Sequence, residues 1–223
     1  MQKLDISKLE YVLFDWDNTL VESRTPLLFA MKQVLEEKNL PSWESLKEVR
    51  DNNISFKANF KNFFKERAEE VYARYAEIYL QNVERLIGTF PKVLEVLEWF
   101  KNKGITLIIM SNKDRKLLDF ELPLLFPPEY FKRVVCGCEA PRDKPHKEHV
   151  LFALEGLLEP AEINRQNVWV VGDSPQDSAA ALAAGALPIR IGTKIWNDCE
   201  KYEESVIYFK DFADFYECLK EQN

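Results

Sequence analysis

The sequence predicts an α/β fold in which a parallel sheet carries helices on both faces and is interrupted by an inserted helical domain. Three observations lead to this prediction. Tyr11 to Phe14 is an apolar run without polar alternation, as in a strand buried on both faces. Strand-like and helix-like segments alternate after Phe90, which is typical of a parallel sheet. The block 22–89 has helical periodicity but no strand, and it is far longer than one crossover connection needs.

The block 22–89 reads as a series of helices. Thr25 and Pro26 have the residue types of a helix cap followed by a first helical position. A short helix is expected over 43–49, and one or two long helices over 55–86, where Phe and Tyr recur at helical spacing. We therefore divide the chain into an α/β core, residues 1–21 and 90–223, and a helical insert, residues 22–89.

The other elements of the core are predicted from residues that favour helix ends and from apolar runs. The first helix after the insert begins at Pro91 and ends at Gly104, the residue types that favour those two positions. Further helices are expected over 113–120, 147–157, 178–184 and 211–220, and strands over 105–110, 133–136, 168–171, 187–191 and 206–209.

Composition limits the kinds of partner. The chain has 223 residues, of which 46% are hydrophobic and 30% charged, as in a soluble globular protein. Its formal net charge of -7 argues against a nucleic-acid-binding domain, which needs a basic face. The N-terminus has no apolar core of signal-peptide length, and no run approaches the length of a membrane span. We expect a cytoplasmic protein that contacts neither nucleic acid nor membrane.

The cysteines do not form a metal-binding pattern. Cys136 and Cys138 are separated by one residue rather than two, and no histidine or second close pair completes a zinc site. Cys199 and Cys218 lie far along the chain. Reduced, partly buried thiols in a reducing compartment are therefore expected.

Polar side chains follow three of the predicted strands. The carboxyl ends of parallel strands meet at one edge of the sheet, where open α/β sheets bind ligands, so these side chains are expected to share one crevice. They are Asp15, Asp17 and Thr19 after the first strand, Ser111 and Asn112 after the second, and Asp173 and Asp177 after the strand that ends at Gly172.

Four carboxylates at one edge call for a cation. Each close pair costs on the order of 4 kcal/mol at 4 Å if the effective dielectric constant is about 20. A site made of oxygen ligands suits magnesium better than zinc. A plainer alternative is that one acid pair caps a helix N-terminus, as Asp often does. That alternative accounts for Asp173 or Asp177, but not for Asp15 and Asp17 as well.

Four short motifs together resemble those of the haloacid dehalogenase-like hydrolase superfamily. They occur in the family's order and span nearly the whole chain. The resemblance implies a Rossmann-like core of three layers, α/β/α, and identifies the insert with the helical cap of phosphoglycolate phosphatase-like members. The motifs are Asp15-x-Asp17-x-Thr19, Ser111-Asn112, Lys144-Pro145 and Gly172-Asp173-x-x-x-Asp177.

The resemblance also implies a mechanism for the first motif. Asp15 would be the nucleophile, forming an aspartyl-phosphate. Asp17 would protonate the leaving oxygen and then activate water as a base. Thr19 would orient Asp17 and its loop within the phosphate-binding region.

The other motifs would bind phosphate and metal. Ser111, with help from Asn112, would contact the phosphoryl oxygens, and Lys144 would neutralise the nucleophile and the phosphate. Magnesium would be held by Asp173, by the Asp15 carboxylate and by the main-chain carbonyl of Asp17. Asp177 would act on the metal directly or through water. The implied partner is a small phosphorylated metabolite; the sequence does not indicate an oligomeric state.

Two positions depart from the common pattern of the family. Trp16 and Asn18 stand where many small-substrate phosphatases have a small apolar residue and glycine. We expect Trp16 to point towards the cap side and to narrow or line the site.

The resemblance favours a magnesium-dependent phosphatase and leaves alternatives open. A phosphosugar mutase of the same architecture would return the phosphoryl group to its substrate. A haloacid dehalogenase is disfavoured, because carbon–halogen chemistry needs neither an acid at Asp17 nor magnesium. A binding or regulatory protein on this scaffold ranks last, because Asp15 and Asp17 are both present.

Overall fold

A six-stranded, wholly parallel sheet forms the centre of the molecule. The computed structural model describes residues 4–51, 54–192 and 205–222. Within these residues the strand order is β3-β2-β1-β4-β5-β6, so the first strand lies in the middle, between the second and the fourth. The strands are β1 (Tyr11–Phe14), β2 (Thr106–Met110), β3 (Arg133–Val135), β4 (Val168–Gly172), β5 (Leu187–Ile191) and β6 (Ile207–Phe209). The predicted α/β class with a parallel Rossmann-like sheet is confirmed.

The helices of the described residues fall into two groups. The first group lies between β1 and β2 and comprises α1 (Arg24–Glu37), α2 (Trp43–Lys47), α3 (Phe56–Phe64) and α4 (Ala68–Leu86). The second group alternates with the later strands and comprises α5 (Val93–Asn102), α6 (Arg115–Leu125), α7 (Lys147–Leu154), α8 (Pro175–Ala184) and α9 (Phe212–Lys220).

Several helices, among them α5, α7 and α8, differ by two or three residues from their predicted bounds, and α1 and α6 differ for local reasons. α1 begins at Arg24, two residues before Pro26, because Glu22 Oε1 already accepts a hydrogen bond from the Thr25 amide at 3.2 Å. α6 runs five residues past its predicted end, through Pro123. A proline in the last turn removes only one helical hydrogen bond there, so the helix continues to Leu125.

Hydrophobic clusters cover both faces of the sheet. Side chains of β1 alternate between them: Val12 and Phe14 join the cluster that includes α5 and α9, and Leu13 joins the cluster that includes α7 and α8. Because both faces of the strand are buried, β1 is apolar throughout its length.

The helices α1 to α4 build a hydrophobic cluster of their own. Its buried members include Met31, Phe60 and Tyr79, and Leu117 of α6 also packs into it. The division of the chain into two domains at 22 and 89 stays a prediction. None of the described helices combines the length and the apolarity that crossing a membrane requires.

The chain enters and leaves the helical block at one place. Val21 and Thr89 form an antiparallel bridge. The Glu22 amide donates to the Gly88 carbonyl at 2.8 Å, and the Phe90 amide donates to the Leu20 carbonyl at 3.3 Å. The two connections therefore lie side by side next to the end of β1.

Candidate active site

Three adjacent strands deliver the predicted polar residues to one edge of the sheet. The Asp15 amide donates to the Val171 carbonyl of β4 at 2.9 Å, which continues the ladder one residue past β1. Ser111 does the same from β2, donating to the Val135 carbonyl at 2.9 Å. The motif residues of β1, β2 and β4 thus lie next to one another in space, as the sequence predicts.

Asp15 lies at the centre of the site and both of its carboxylate oxygens are held. Lys144 Nζ donates to Asp15 Oδ1 at 2.6 Å, and Thr19 Oγ1 donates to Asp15 Oδ2 at 3.0 Å. Burial, opposed by Lys144 and reinforced by Asp177, raises the pKa of Asp15 to about 6. Thr19 therefore contacts Asp15, whereas the resemblance had implied that it orients Asp17.

Lys144 is a buried ammonium shared by two carboxylates. Besides Asp15 it contacts Asp177 Oδ1 at 2.6 Å. Although burial disfavours the charged form, the two adjacent carboxylates raise the pKa of Lys144, so it is a cation at neutral pH. Lys144 thus balances part of the negative charge at the strand ends.

Hydrogen bonds from Asn112 fasten the main chain of Lys144. Asn112 Nδ2 donates to the Lys144 carbonyl at 2.8 Å, and the Lys144 amide lies 3.1 Å from Asn112 Oδ1. The same amide lies 3.2 Å from Nδ1 of the buried His149. The amide group of Asn112 is therefore engaged by Lys144, and a contact of Asn112 with phosphate stays a prediction.

Asp177 combines the two roles that the sequence left open. Its Oδ2 accepts from the Ser174 amide at 3.0 Å and from the Ser174 hydroxyl at 2.6 Å, which caps α8. Its Oδ1 is taken by Lys144. Gly172 permits this arrangement, because a Cβ at that position would lie 2.3 Å from the Asp177 carboxyl group. Helix capping and a place in the acidic cluster are thus both present in one residue.

An oxygen-only cluster is available for a cation. Carboxylate oxygens of Asp15, Asp173 and Asp177 all lie within 4.8 Å of one another. Asp173 keeps some exposure to the crevice, yet protein surrounds it, and burial together with the Asp15 carboxylate raises its pKa well above the usual value. Carboxylates that resist ionisation in this way fit a divalent cation, which would supply the missing positive charge.

The carboxylate of Asp17 is bound by a second lysine and not by Lys144. Asp17 Oδ1 accepts from Lys113 Nζ at 2.6 Å, and Lys113 also lies 3.0 Å from Glu121 Oε1. Sequence reasoning missed both of these residues. Lys113 directly follows the second motif, and Glu121 falls three and four residues after the buried Leu118 and Leu117, so an acid on the apolar face of α6 was the available signal.

Trp16 does not line the crevice, and that expectation was wrong. The side chain is fully buried in the core, 5.5 Å from the ring of Phe126 between centroids. Its indole Nε1 donates to Glu121 Oε2 at 2.6 Å. A buried indole N–H needs a hydrogen-bond acceptor, and the buried carboxylate of Glu121 supplies one for Trp16.

The remaining predicted residues have clear positions. Ser111 is buried, and its hydroxyl oxygen accepts from the Lys113 amide at 3.3 Å. Asn18 adopts a left-handed conformation at φ 59°, which asparagine tolerates better than most residues. Among the described cysteines, Cys136 and Cys218 are buried and Cys138 is exposed; Cys199 lies outside the described residues.

Comparison with known proteins identifies similar sequences. A family model described as haloacid dehalogenase-like hydrolase matches residues 12–191. The phosphoglycolate phosphatase of Aquifex aeolicus (strain VF5) is 29% identical over 178 residues, which cover 79% of this chain and 82% of that protein. The pyrophosphatase PpaX of Oceanobacillus iheyensis is 24% identical over 173 residues, covering 78% of each.

Solved structures share the fold. CbbY from Rhodobacter sphaeroides, in complex with phosphate, aligns with a TM-score of 0.78 at 18% identity, over 93% of this chain and 96% of that one. A protein from Haemophilus somnus 129pt, described as a predicted phosphoglycolate phosphatase, aligns with a TM-score of 0.80 at 22% identity, over 95% and 98%.

Proposed function

The chain belongs to the haloacid dehalogenase-like hydrolase family, and from this premise we propose that it is a magnesium-dependent phosphatase that hydrolyses a small phosphomonoester through an aspartyl-phosphate. The observation that carries the proposal is the set of contacts that the Asp15 carboxylate makes. Its carboxylate is fixed by Lys144 and Thr19 beside Asp173 and Asp177, at the edge of the sheet where α/β proteins bind ligands. The relatives named above support a small phosphorylated substrate.

In the first step the free lone pair of an Asp15 oxygen attacks phosphorus. The ester P–O bond breaks, and the leaving oxygen takes a proton from Asp17. Because Lys144 lies against Asp15, its positive charge offsets the repulsion between the carboxylate and the approaching phosphate. Thr19 holds the second oxygen of Asp15, so the nucleophile is already oriented.

In the second step water attacks the phosphorus of the aspartyl-phosphate. Asp17, ionised after the first step, takes the proton from that water, and the bond between phosphorus and Asp15 breaks. Inorganic phosphate leaves and Asp15 is regenerated. We assign the Ser111 hydroxyl to the phosphoryl oxygens, and Asn112 to the positioning of Lys144.

We infer the ligands of the cation from the acidic cluster. Asp15 and Asp173 would hold magnesium with the main-chain carbonyl of Asp17, and Asp177 would act mainly through Lys144, which already occupies one of its oxygens. The cation would supply positive charge that stabilises the transferring phosphoryl group.

We expect hydrolysis of 4-nitrophenyl phosphate by the purified protein to require magnesium and to stop when a chelator is added. The physical reason is that three carboxylates within 4.8 Å leave the phosphate site too negative without a cation. Asp173→Asn should need a much higher magnesium concentration for half-maximal activity. Full activity in excess chelator, once tightly bound metal has been ruled out, would contradict the assignment.

The products distinguish the alternatives. Release of one inorganic phosphate for each nitrophenol supports a hydrolase. Transfer of phosphate to an added phosphosugar instead supports a mutase, and failure to cleave any phosphomonoester supports a binding protein.

Stability measurements test the same site without an activity assay. Folding raises the pKa of Asp15 to about 6 from about 3.9 in an unfolded chain, so the unfolded chain binds fewer protons between these values. The contribution of Asp15 to the free energy of unfolding of the metal-free protein should therefore be largest below pH 4. It should fall by about 2–3 kcal/mol as the pH rises through 6. Magnesium should offset the loss at pH 8. Urea unfolding at pH 4 and 8 measures this fall, and the difference should shrink in Asp15→Asn.

We also propose that residues 22–89 form a separable cap that selects the substrate. The adjacent entry and exit at Val21 and Thr89 mean that a linker of a few Gly and Ser residues closes the gap. With Leu117→Ser to replace the apolar contact with the cap, the core should fold alone. It should hydrolyse aryl phosphates while discriminating poorly among phosphorylated metabolites, since closure excludes water and selects substrate.

Circular dichroism and a panel of phosphomonoesters, with the full chain in parallel, measure both parts of this prediction. A core that does not fold would show that the two-domain division is wrong. If the core discriminates among substrates as well as the full chain does, the cap does not select the substrate.

A further inference from the structure

One buried ammonium group connects the helical block to the candidate general acid. Lys113 Nζ lies 2.6 Å from Asp17 Oδ1, 3.2 Å from the hydroxyl oxygen of Tyr79 and 3.0 Å from Glu121 Oε1. The three partners come from the loop after β1, from α4 of the helical block and from α6 of the core. Only 7% of the Lys113 side chain is exposed. A lysine on a solvated surface would not collect partners from three separate elements.

Glu121 contacts both Lys113 and the loop that carries Asp17. The carboxylate is fully buried, and its other oxygen accepts from the indole of Trp16 at 2.6 Å. Trp16 lies between Asp15 and Asp17 in sequence, so the same loop is held from both sides. A buried carboxylate is costly unless it is paired, which requires the ammonium of Lys113 to stay beside it.

The helical block meets the core at the same segment. Tyr79 is buried and its hydroxyl is the contact of α4 with Lys113. At the next residue, Asp114 Oδ2 accepts from Lys57 of α3 at 2.5 Å. Two of the four residues that join β2 to α6 therefore each contact one helix of the block. Any movement of α3 and α4 away from the core breaks both contacts.

We propose that Lys113 is a positioning residue that aims the Asp17 carboxylate, and that Tyr79 makes this aim depend on the docked position of the helical block. The inference rests on the proposed role of Asp17 as general acid and extends it. Glu121 and Tyr79 hold the ammonium, and the ammonium holds Asp17 Oδ1. Proton delivery is then most effective when the helical block covers the site.

The test uses aryl phosphates whose leaving groups range from good to poor. kcat/KM reports steps up to release of the phenol, so its dependence on leaving-group acidity measures how well a proton is delivered. Lys113→Met keeps the length of the side chain and removes its charge. It should steepen that dependence and lower kcat/KM by about 10- to 100-fold for the poorest leaving group, with a much smaller loss for 4-nitrophenyl phosphate. Lys113→Arg should restore part of the loss.

Two further variants separate positioning from structural damage. Tyr79→Phe removes one hydroxyl without changing any charge, and it should steepen the dependence with a loss of about 3- to 10-fold for the poorest leaving group. In an Asp17→Asn background, Lys113→Met should cost little more, because the group that it aims is no longer an acid. Lys116→Met, on an exposed lysine of α6, and Tyr130→Phe, which breaks a surface hydrogen bond to Glu98, are the matched controls.

The outcomes distinguish this inference from the proposed function. If the wild-type protein does not cleave aryl phosphates, or if Asp15→Asn remains active, the proposed function itself fails. If the wild type is active but Lys113→Met behaves like Lys116→Met, the positioning role is overturned. It is also overturned if Lys113→Met lowers kcat/KM equally for all leaving groups and in both backgrounds, since a phosphate-binding or purely structural lysine would do that.

Discussion

Asp17→Asn is expected to release about one equivalent of nitrophenol in a burst and then to stall as the phosphorylated enzyme. Nitrophenol is a good leaving group, so the first step needs little help from an acid. Attack by water on the aspartyl-phosphate needs a base, and an amide does not act as one. General acid–base help is typically worth about 10²–10⁴-fold, enough to make dephosphorylation rate-limiting. The Asn oxygen still accepts from Lys113, which preserves the local geometry.

Rapid-mixing kinetics and intact mass after acid quench measure this result. The trapped phosphate should map to Asp15. Asp15→Asn is the matched control, of the same size and the same chemistry, and should show neither burst nor adduct. Steady turnover of Asp17→Asn at the wild-type rate, or an adduct on another residue, would contradict the division of roles between the two carboxylates.

Lys144→Met is expected to lower turnover by at least about 10³-fold, because it removes the charge that lies against the nucleophile. The variant would leave Asp15, Asp173 and Asp177 within 4.8 Å of one another without their buried cation. The remaining carboxylates would repel each other and hold Asp15 in its protonated, unreactive form. Loss of one partner from a buried ion pair also costs about 3–5 kcal/mol of stability.

Steady-state kinetics and urea unfolding of Lys144→Met, each with and without magnesium, measure the two effects. Magnesium should recover part of the stability and little of the activity. Lys147→Met, three residues away on an exposed lysine, is the control and should match the wild type in both assays. Turnover of Lys144→Met within a few-fold of wild type would show that Lys144 is not part of the site.

The sequence predicts the sheet well because its signals are local. The apolar runs that become β1, β2 and β4 each end in a polar motif, and the rules of parallel sheets then bring those ends together. The placement of Asp15, Ser111 and Asp173 at one edge therefore follows from the sequence alone.

The contacts of Trp16 and Lys113 do not follow in this way. Both depend on Glu121, which lies 105 residues after Trp16 and meets it only once α6 has packed on the core. Periodicity assigns a residue to a face of its own element, but it does not name the partner on another element. For the same reason the sequence does not show that Asn112 forms hydrogen bonds with Lys144, or that Thr19 forms one with Asp15.

The bridge from Lys144 to Asp15 also has a consequence for folding. The two residues are 129 positions apart, and Asp177 lies a further 33 positions along the chain. Contacts of such long sequence separation carry a large loop-closure entropy and form late. During synthesis the nucleophile emerges early but gains its neutralising partner only after most of the chain has left the ribosome. Recovery of activity in a refolding experiment would thus report completion of the central sheet, whereas recovery of helical signal would precede it.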